Sequence, residues 1–304
     1  MKIFKFILLW ILSTVIMLIT WSVGFVLGNG ITRTIPPPAN DPSSTALSFF
    51  IVCLINSFLL STLVWTTRAY SGLIKGTALI LYLFVIQFFL AQMETFFFSE
   101  SIGISMGQIA SILIAGFVMS VITVASGIVI ANRMNNSLVK THFTFVIPRW
   151  SRWILPMVLS ACLIYPLIYL IFGYYIAWQS ESLRVYYTQS AALNPFFFQS
   201  ASAFSDGIYF FQMLRGGIWV AISLPVVLML RHTHAFQYFL IGLLSALLPA
   251  TLLFIPNPYM PADVAMTHFV ETSTSNFLWG IVITFIVNKY IGTVALQNRT
   301  ATLS

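Results

Sequence analysis

The sequence predicts an all-α integral membrane protein, a helix bundle with about eight transmembrane helices. Its 304 residues are 59% hydrophobic and only 7% charged, whereas a water-soluble domain carries about a quarter charged residues. Even a large soluble fold leaves part of its surface in water, so it could not hide this much apolar surface. Apolar runs also recur along the chain at the length of a bilayer, and most basic residues lie between them. The lipid bilayer is therefore the expected solvent for most side chains.

Eight apolar runs are long enough to cross a membrane as helices. A helix rises about 1.5 Å per residue, so about 20 apolar residues cross the hydrocarbon core. The first run follows Lys2 and Lys5 as in a signal peptide, but it is longer than the roughly 7–15 residues of a cleaved signal, so we expect it to be retained. Residues 1–304 are expected to form a single membrane domain. The predicted spans cover residues 6–28, 46–67, 76–98, 104–131, 153–178, 207–230, 235–256 and 264–289.

The basic residues predict the orientation of the chain. If both termini are cytoplasmic, only Arg33 and Arg184 fall on the outer side, and Arg215 lies within the sixth span. This asymmetry follows the positive-inside rule. Short loops on a compact chain are typical of a bacterial cytoplasmic (inner) membrane. The other 11 of the 14 basic residues then lie on the cytoplasmic side: Lys2, Lys5, Arg68, Lys75, Arg133, Lys140, Arg149, Arg152, Arg231, Lys289 and Arg299.

The net charge of +7 is spread in ones and twos between apolar runs. Nucleic-acid binding needs basic residues clustered on one solvated face, so we expect no nucleic-acid partner. Membrane lipids with anionic headgroups are the predicted partners.

Several features predict irregular or closely packed helices. The series Gly103, Gly107, Ser111 and Gly116 gives the fourth span a small-residue face for close helix contact. The outer segment 179–206 mixes aromatic residues with an arginine, as an interfacial helix or a re-entrant segment does. Four prolines that should kink or break their helices lie within or near spans: Pro156, Pro166, Pro225 and Pro249.

The sixth predicted span contains Arg215, about eight residues from its outer end. At about 1.5 Å per residue this arginine lies roughly 12 Å below the interface. It keeps its proton there and needs an anion, carbonyl groups or water. Gln212 and Trp219 share its helix face at i−3 and i+4. Together with Arg184 and Asn276, these residues are candidates for binding the anionic group of a ligand. Pairing of Arg215 with an internal acid is the alternative.

Three further ionisable residues are candidates for catalysis. Glu94 lies near the outer end of the third span, and His268 and Glu271 lie at i and i+3 on one face of the eighth. His268 would act as a base and the carboxylates as acids. Alternatively, the three side chains would bind a metal ion, since Zn²⁺ accepts such a mixed set of nitrogen and carboxylate ligands. In a third interpretation they only tie helices together by polar contacts.

Glu94, Arg215, His268 and Glu271 come from three spans but share one level in the outer third of the bilayer. Ionisable groups near the centre of a membrane helix cost at least about 2.5–3.5 kcal/mol each. Independent structural ion pairs would have no reason to lie at one level and on one side. We therefore expect the four side chains to meet in a hydrated pocket that opens to the outer face.

These observations leave three functions open. The first is binding or translocation of an amphipathic, lipid-like substrate whose anionic head meets Arg215. The second is an outer-leaflet enzyme, with or without a metal ion, that uses Glu94, His268 and Glu271. The third is a non-catalytic scaffold subunit in which the charges only fix the helix register. The sequence contains no His-Glu-x-x-His or Walker A motif.

Overall fold

A computed structural model describes residues 2–35, 41–134, 141–142, 153–230 and 233–292. Eight helices in these ranges are long and apolar enough to cross a membrane, which confirms the predicted all-α membrane fold. Every helix end lies within four residues of its predicted position. In chain order, the first to eighth spans are Lys2–Thr32, Pro42–Thr66, Leu73–Phe97, Met106–Met134, Ile154–Gln179, Ile208–Met229, His234–Phe254 and Ala262–Ile291.

Shorter elements interrupt or connect the spans. Three spans contain a π-helical turn, at Val85–Phe89, Ser160–Ile164 and Asn288–Gly292. Two spans end in a 3₁₀ turn, at Ala177–Gln179 and Thr251–Phe254. Short helices lie between spans at Ser99–Ile102, Glu181–Thr188 and Phe196–Ser205. The strands Tyr70–Ser71 and Thr141–His142 pair in parallel, with Tyr70 opposite Thr141. Two-residue strands leave no periodic signal in the sequence, so they were not predicted.

The described chain divides into two compact units. The first comprises Met1–Phe143 and Leu247–Phe269, and the second comprises Thr144–Ala246 and Val270–Ser304. The division passes through the seventh and eighth spans, so each of these helices contributes residues to both units. That the whole chain acts as a single membrane domain stays a prediction.

Small residues allow the first and fourth spans to pack closely in the first unit. A Cβ atom at Gly24 would lie 2.8 Å from the carbonyl oxygen of Ala115, and one at Gly28 would lie 2.5 Å from that of Ser111. The hydroxyl of Ser111 donates a hydrogen bond of 2.6 Å to Oδ1 of Asn29 on the first span. Ser111 therefore lies on a small-residue contact face of the fourth span, as predicted.

Gly103, which was predicted to begin that face, lies outside the fourth span. It has a φ of 73° and follows the short helix Ser99–Ile102 as its C-terminal cap. Glycine adopts this left-handed conformation without the steric penalty of a Cβ atom. The fourth span begins only at Met106. The prediction was wrong here because a glycine that ends one helix has the same spacing as a glycine inside the next.

The fifth and sixth spans cross closely in the second unit. Pro166 has no N–H to donate, and it comes just after the π-helical turn Ser160–Ile164, whose middle residue Cys162 has a carbonyl that accepts a side-chain bond. The hydroxyl of Tyr209, at the start of the sixth span, donates to that carbonyl at 2.9 Å. About two turns further along the sixth span, a Cβ atom at Gly216 would lie 2.9 Å from the carbonyl oxygen of Ala161. These contacts hold the first half of the sixth span against the π-helical turn of the fifth.

The seventh and eighth spans also meet within the second unit. A Cβ atom at Gly280 would lie 2.8 Å from the carbonyl oxygen of Ile241. Nearer the C-terminal end of the eighth span, Asn288 donates to Oε1 of Gln237 at 2.7 Å. The amide of Gln237 in turn donates to the carbonyl of Leu230, just after the sixth span. These contacts connect the sixth, seventh and eighth spans at one end of the unit.

Candidate functional site

The second unit contains a buried pair formed by Arg215 and Gln212 in the sixth span. Arg215 is 6% exposed and Gln212 is fully buried. Nη1 of Arg215 donates to Oε1 of Gln212 at 3.0 Å. The guanidinium carbon also lies 5.8 Å from the ring centroid of Phe211, a distance at which a cation is attracted to a ring face. The bond to the Gln212 amide orients the guanidinium.

Three aromatic rings lie together beside this pair. Tyr165 of the fifth span contacts Trp219 at a centroid distance of 5.9 Å and Trp279 at 5.0 Å. All three side chains are at least 97% buried. Trp219 follows Arg215 by one helical turn on the same face, so Gln212, Arg215 and Trp219 form a row along the sixth span. Tyr165 thereby joins the fifth, sixth and eighth spans.

Most of the unbonded polar atoms here are N–H donors, and the exception is the hydroxyl of Ser223, one turn beyond Trp219 in the described sixth span. Among the residues that the structure describes, Nε2 of Gln212 and Nε1 of Trp219 and Trp279 have no acceptor. The oxygen of the Gln212 amide, by contrast, is used by Arg215. Buried donors are almost always paired in proteins, with protein, water or a ligand. The row therefore matches a partner rich in hydrogen-bond acceptors.

The eighth span adds a second buried polar face to the same unit. Glu271, Ser275 and Asn276 are each at least 93% buried and precede Trp279 within about two helical turns. The hydroxyl of Thr272 donates to a carboxylate oxygen of Glu271 at 3.2 Å. The predicted candidates Arg215, Gln212, Trp219, Glu271 and Asn276 thus all belong to the buried interior of the second unit.

Arg184, the other basic ligand candidate, is held by two backbone carbonyls on either side of its helix, Glu181–Thr188. It is 8% exposed, and it donates to the carbonyls of Trp178 at 2.6 Å and Ala191 at 2.8 Å. These bonds connect the helix Glu181–Thr188 to the end of the fifth span before it and to the loop after it. The geometry gives Arg184 a structural role in this segment, and its role in ligand binding stays a prediction.

Glu94 and His268 belong to the first unit, and both side chains are partly exposed. Gln87, seven positions before Glu94, lies in the π-helical turn Val85–Phe89 and is fully buried. Neither polar atom of its side-chain amide has a partner among the described residues. The expected meeting of Glu94 and His268 with Arg215 and Glu271 in one pocket stays a prediction.

The described part of the chain contains no group of three His, Cys, Asp or Glu side chains placed to hold one metal ion. The proposed metal set of Glu94, His268 and Glu271 therefore rests on the sequence alone. The same holds for their assignment as catalytic acids and base.

Three residues at the site were not predicted from the sequence. Tyr165 and Trp279 were missed because aromatic residues are common in membrane helices and mostly pack against lipid or other helices. The spacing of Glu271, Ser275 and Trp279, four residues apart, could have revealed a continuous face on the eighth span. Gly216 could have been noted as a small residue directly beside a buried arginine.

Comparison of the chain with protein-family models, with curated proteins and with solved structures gave no match. The functional argument therefore depends on the chemistry of the site itself.

Proposed function

We propose that the second unit binds the anionic head of an amphipathic, lipid-like molecule, in order to hold or translocate it. The observation that carries this proposal is the buried pair of Arg215 and Gln212. A guanidinium presents several N–H donors in a planar fork that matches phosphate and carboxylate oxygens. The Gln212 amide fixes this fork and adds its own N–H donors beside it.

The position of the pair supports a ligand that reaches the protein from the membrane. Arg215 lies seven residues after the start of the sixth span at Ile208, roughly 10 Å along the helix. Ionisable residues at such depth usually mark sites for ions, substrates or internal partners. An amphipathic molecule places its head at this level while its chains stay among the spans.

We further propose that both termini are cytoplasmic and that the membrane is a bacterial cytoplasmic membrane. The distribution of lysine and arginine between the apolar runs supports this orientation. The N-terminal end of the sixth span, with Arg215, then lies towards the outer face. The outer-leaflet enzyme, with Glu94, His268 and Glu271 as its reacting groups, stays as an alternative proposal, as does the scaffold subunit.

Native mass spectrometry of the detergent-purified protein tests lipid binding directly. The protein is titrated with dioleoyl phosphatidic acid and with dioleoylglycerol, which has the same chains but no phosphate. We expect clear preference for phosphatidic acid. Arg215→Ala should weaken its binding about tenfold or more, since hydrogen bonds to charged groups contribute roughly 1.5–3 kcal/mol. Arg215→Lys should fall between, because lysine keeps the charge but not the planar fork.

Arg133→Ala is the matched control for net charge, because it removes one exposed arginine at the end of the fourth span. It should leave the affinity for phosphatidic acid unchanged. Equal affinity for the two lipids in the wild-type protein would refute the proposal and favour the scaffold alternative. So would an equal loss of affinity in Arg133→Ala and Arg215→Ala, since lipid binding would then follow net charge alone.

A further inference from the structure

Two buried tryptophans beside the proposed head-group site have unused hydrogen-bond donors. Trp219 is 1% exposed and Trp279 is fully buried, and Nε1 of each lacks an acceptor among the described residues. An indole N–H cannot bond to the backbone of its own helix in the way that a serine hydroxyl does. Both rings contact Tyr165, so the two donors belong to one cluster within the second unit.

An unused indole N–H is not a binding site by itself. Trp21 in the first unit is 2% exposed and also has an Nε1 atom without an acceptor in the described structure. Its ring is surrounded by the rings of Phe25, Phe49 and Phe88. Trp219 differs because it lies one turn from Arg215 on the same face of the sixth span. The donors of Gln212, Arg215 and Trp219 therefore form one row.

The spacing of this row shows how a ligand would have to be built. Trp219 lies four residues beyond Arg215, which corresponds to about 6 Å along the helix. The oxygens of a single phosphate all surround one phosphorus atom, so a phosphate bound by Arg215 and Gln212 does not also serve the tryptophans. The ligand needs a second set of acceptors deeper in the membrane than its anionic group.

The charge pattern indicates that this second group is neutral. Beyond Arg215, the sixth span has no lysine or arginine before Arg231, and the eighth span has none before Lys289. A second anion at the level of the tryptophans would be buried without a cation from these spans, at a large free-energy cost. Neutral indole N–H groups are matched by neutral oxygens, such as carbonyl groups.

From this arrangement we infer that the ligand is an ester-linked phospholipid, with its phosphate at Arg215 and Gln212 and its ester carbonyls at Trp219 and Trp279. This inference rests on the proposed function. In such a lipid the ester carbonyls follow the phosphate towards the acyl chains, so the order of its acceptors matches the order of the donors along the sixth span. Both carbonyls are neutral, and each accepts a hydrogen bond from one indole N–H.

A matched pair of lipids separates this inference from the proposed function. Dioleoyl phosphatidic acid carries two ester carbonyls, whereas its dialkyl ether analogue has the same head and chain length without those carbonyls. Native mass spectrometry of the wild-type protein should show the ether lipid binding roughly three- to tenfold more weakly, the value of one or two neutral hydrogen bonds. Arg215→Ala should weaken the binding of both lipids.

The variants Trp219→Phe and Trp279→Phe keep an aromatic ring against Tyr165 but remove the N–H. Each should reduce the preference for the ester lipid, and the double variant should bind both lipids equally. Trp21→Phe, which removes an equally buried N–H in the first unit, should retain the wild-type preference. The carbonyl stretch of a ¹³C-labelled ester lipid should also shift to lower frequency when bound to the wild-type protein, and less so in the double variant.

The possible results have distinct meanings. If neither lipid binds, or if Arg215→Ala leaves the binding of both lipids unchanged, the proposed function is refuted, and this inference with it. Equal, Arg215-dependent binding of ester and ether lipids by the wild-type protein would overturn this inference alone. A preference for the ester lipid that Trp21→Phe abolishes as fully as Trp219→Phe would also overturn it, because the effect would then be a general one of indole loss.

Discussion

The contact between the fifth and sixth spans predicts opposite effects for two neighbouring glycines. A Cβ atom at Gly216 would lie 2.9 Å from both the carbonyl oxygen of Ala161 and Cδ1 of Tyr165, whereas one at Gly217 would have no atom within 4 Å. Replacing a glycine inside a helix by alanine contributes about 1 kcal/mol of stability. Overpacking of a close contact destabilises by about 1–3 kcal/mol. The change Gly217→Ala should therefore stabilise the protein, and Gly216→Ala should not.

The difference between the two variants isolates the contact, since the helix-propensity contribution is the same in both. We expect the free energy of unfolding of Gly216→Ala to be about 1–3 kcal/mol lower than that of Gly217→Ala. Unfolding in mixed micelles with increasing sodium dodecyl sulfate, followed by circular dichroism, measures this difference. Because the new methyl group displaces Tyr165, Gly216→Ala should also bind phosphatidic acid more weakly. Equal stability of the two variants would show that the two spans do not approach as described.

Two further predictions concern the ends of helices. Tyr209→Phe should destabilise the protein by about 1 kcal/mol, because it removes the donor to the Cys162 carbonyl. Pro166→Ala restores a backbone donor in the fifth span, so the loss caused by Tyr209→Phe should be smaller in that background. Additive effects of the two changes in a double-mutant cycle would contradict this pairing. The hydroxyl of Ser43 and the amide of Ser44 hold the pKa of Asp41 below its usual range at the start of the second span. The stabilisation from this carboxylate is present above about pH 4 and lost as the pH falls through the lowered pKa. Asp41→Asn, which keeps the acceptor, should therefore show a thermal midpoint that is less sensitive to acid, and identical pH profiles would refute this assignment.

The spans were predictable because hydropathy follows directly from composition over about 20 residues. Each apolar run became one helix, and even the sixth and eighth, with ionisable residues inside them, were recognised. The error at Gly103 shows the limit of this approach. A small residue that ends one helix and a small residue that packs inside another look alike in sequence, and only the backbone conformation separates them.

The candidate site was predictable in part, for a related reason. Arg215, Gln212 and Trp219 were selected because their spacing places them on one helix face, and one face of a helix is a local property. The involvement of Tyr165 and Trp279 depends on how the fifth and eighth spans pack against the sixth, which is a property of the tertiary structure. The bonds of Arg184 to backbone carbonyls could not be predicted for the same reason, since they leave no mark in the sequence.

In the second unit, a proline in the fifth span lies close to contacts that position the polar site of the sixth span. Pro166 removes a backbone donor from the fifth span, and inside a membrane the freed carbonyl must find a donor within the protein. Tyr209 donates to the carbonyl of Cys162 and so holds the start of the sixth span against the π-helical turn of the fifth. Directly beside Arg215, Gly216 allows the fifth and sixth spans to approach closely. Tyr165, the residue before Pro166, contacts Trp219 and Trp279 with its ring. The order of these contacts means that the proline does more than bend a helix. It lies next to Tyr165 and just after the π-helical turn that contacts the sixth span, so changes at Pro166 should affect ligand affinity even though this residue contributes no donor to the proposed site.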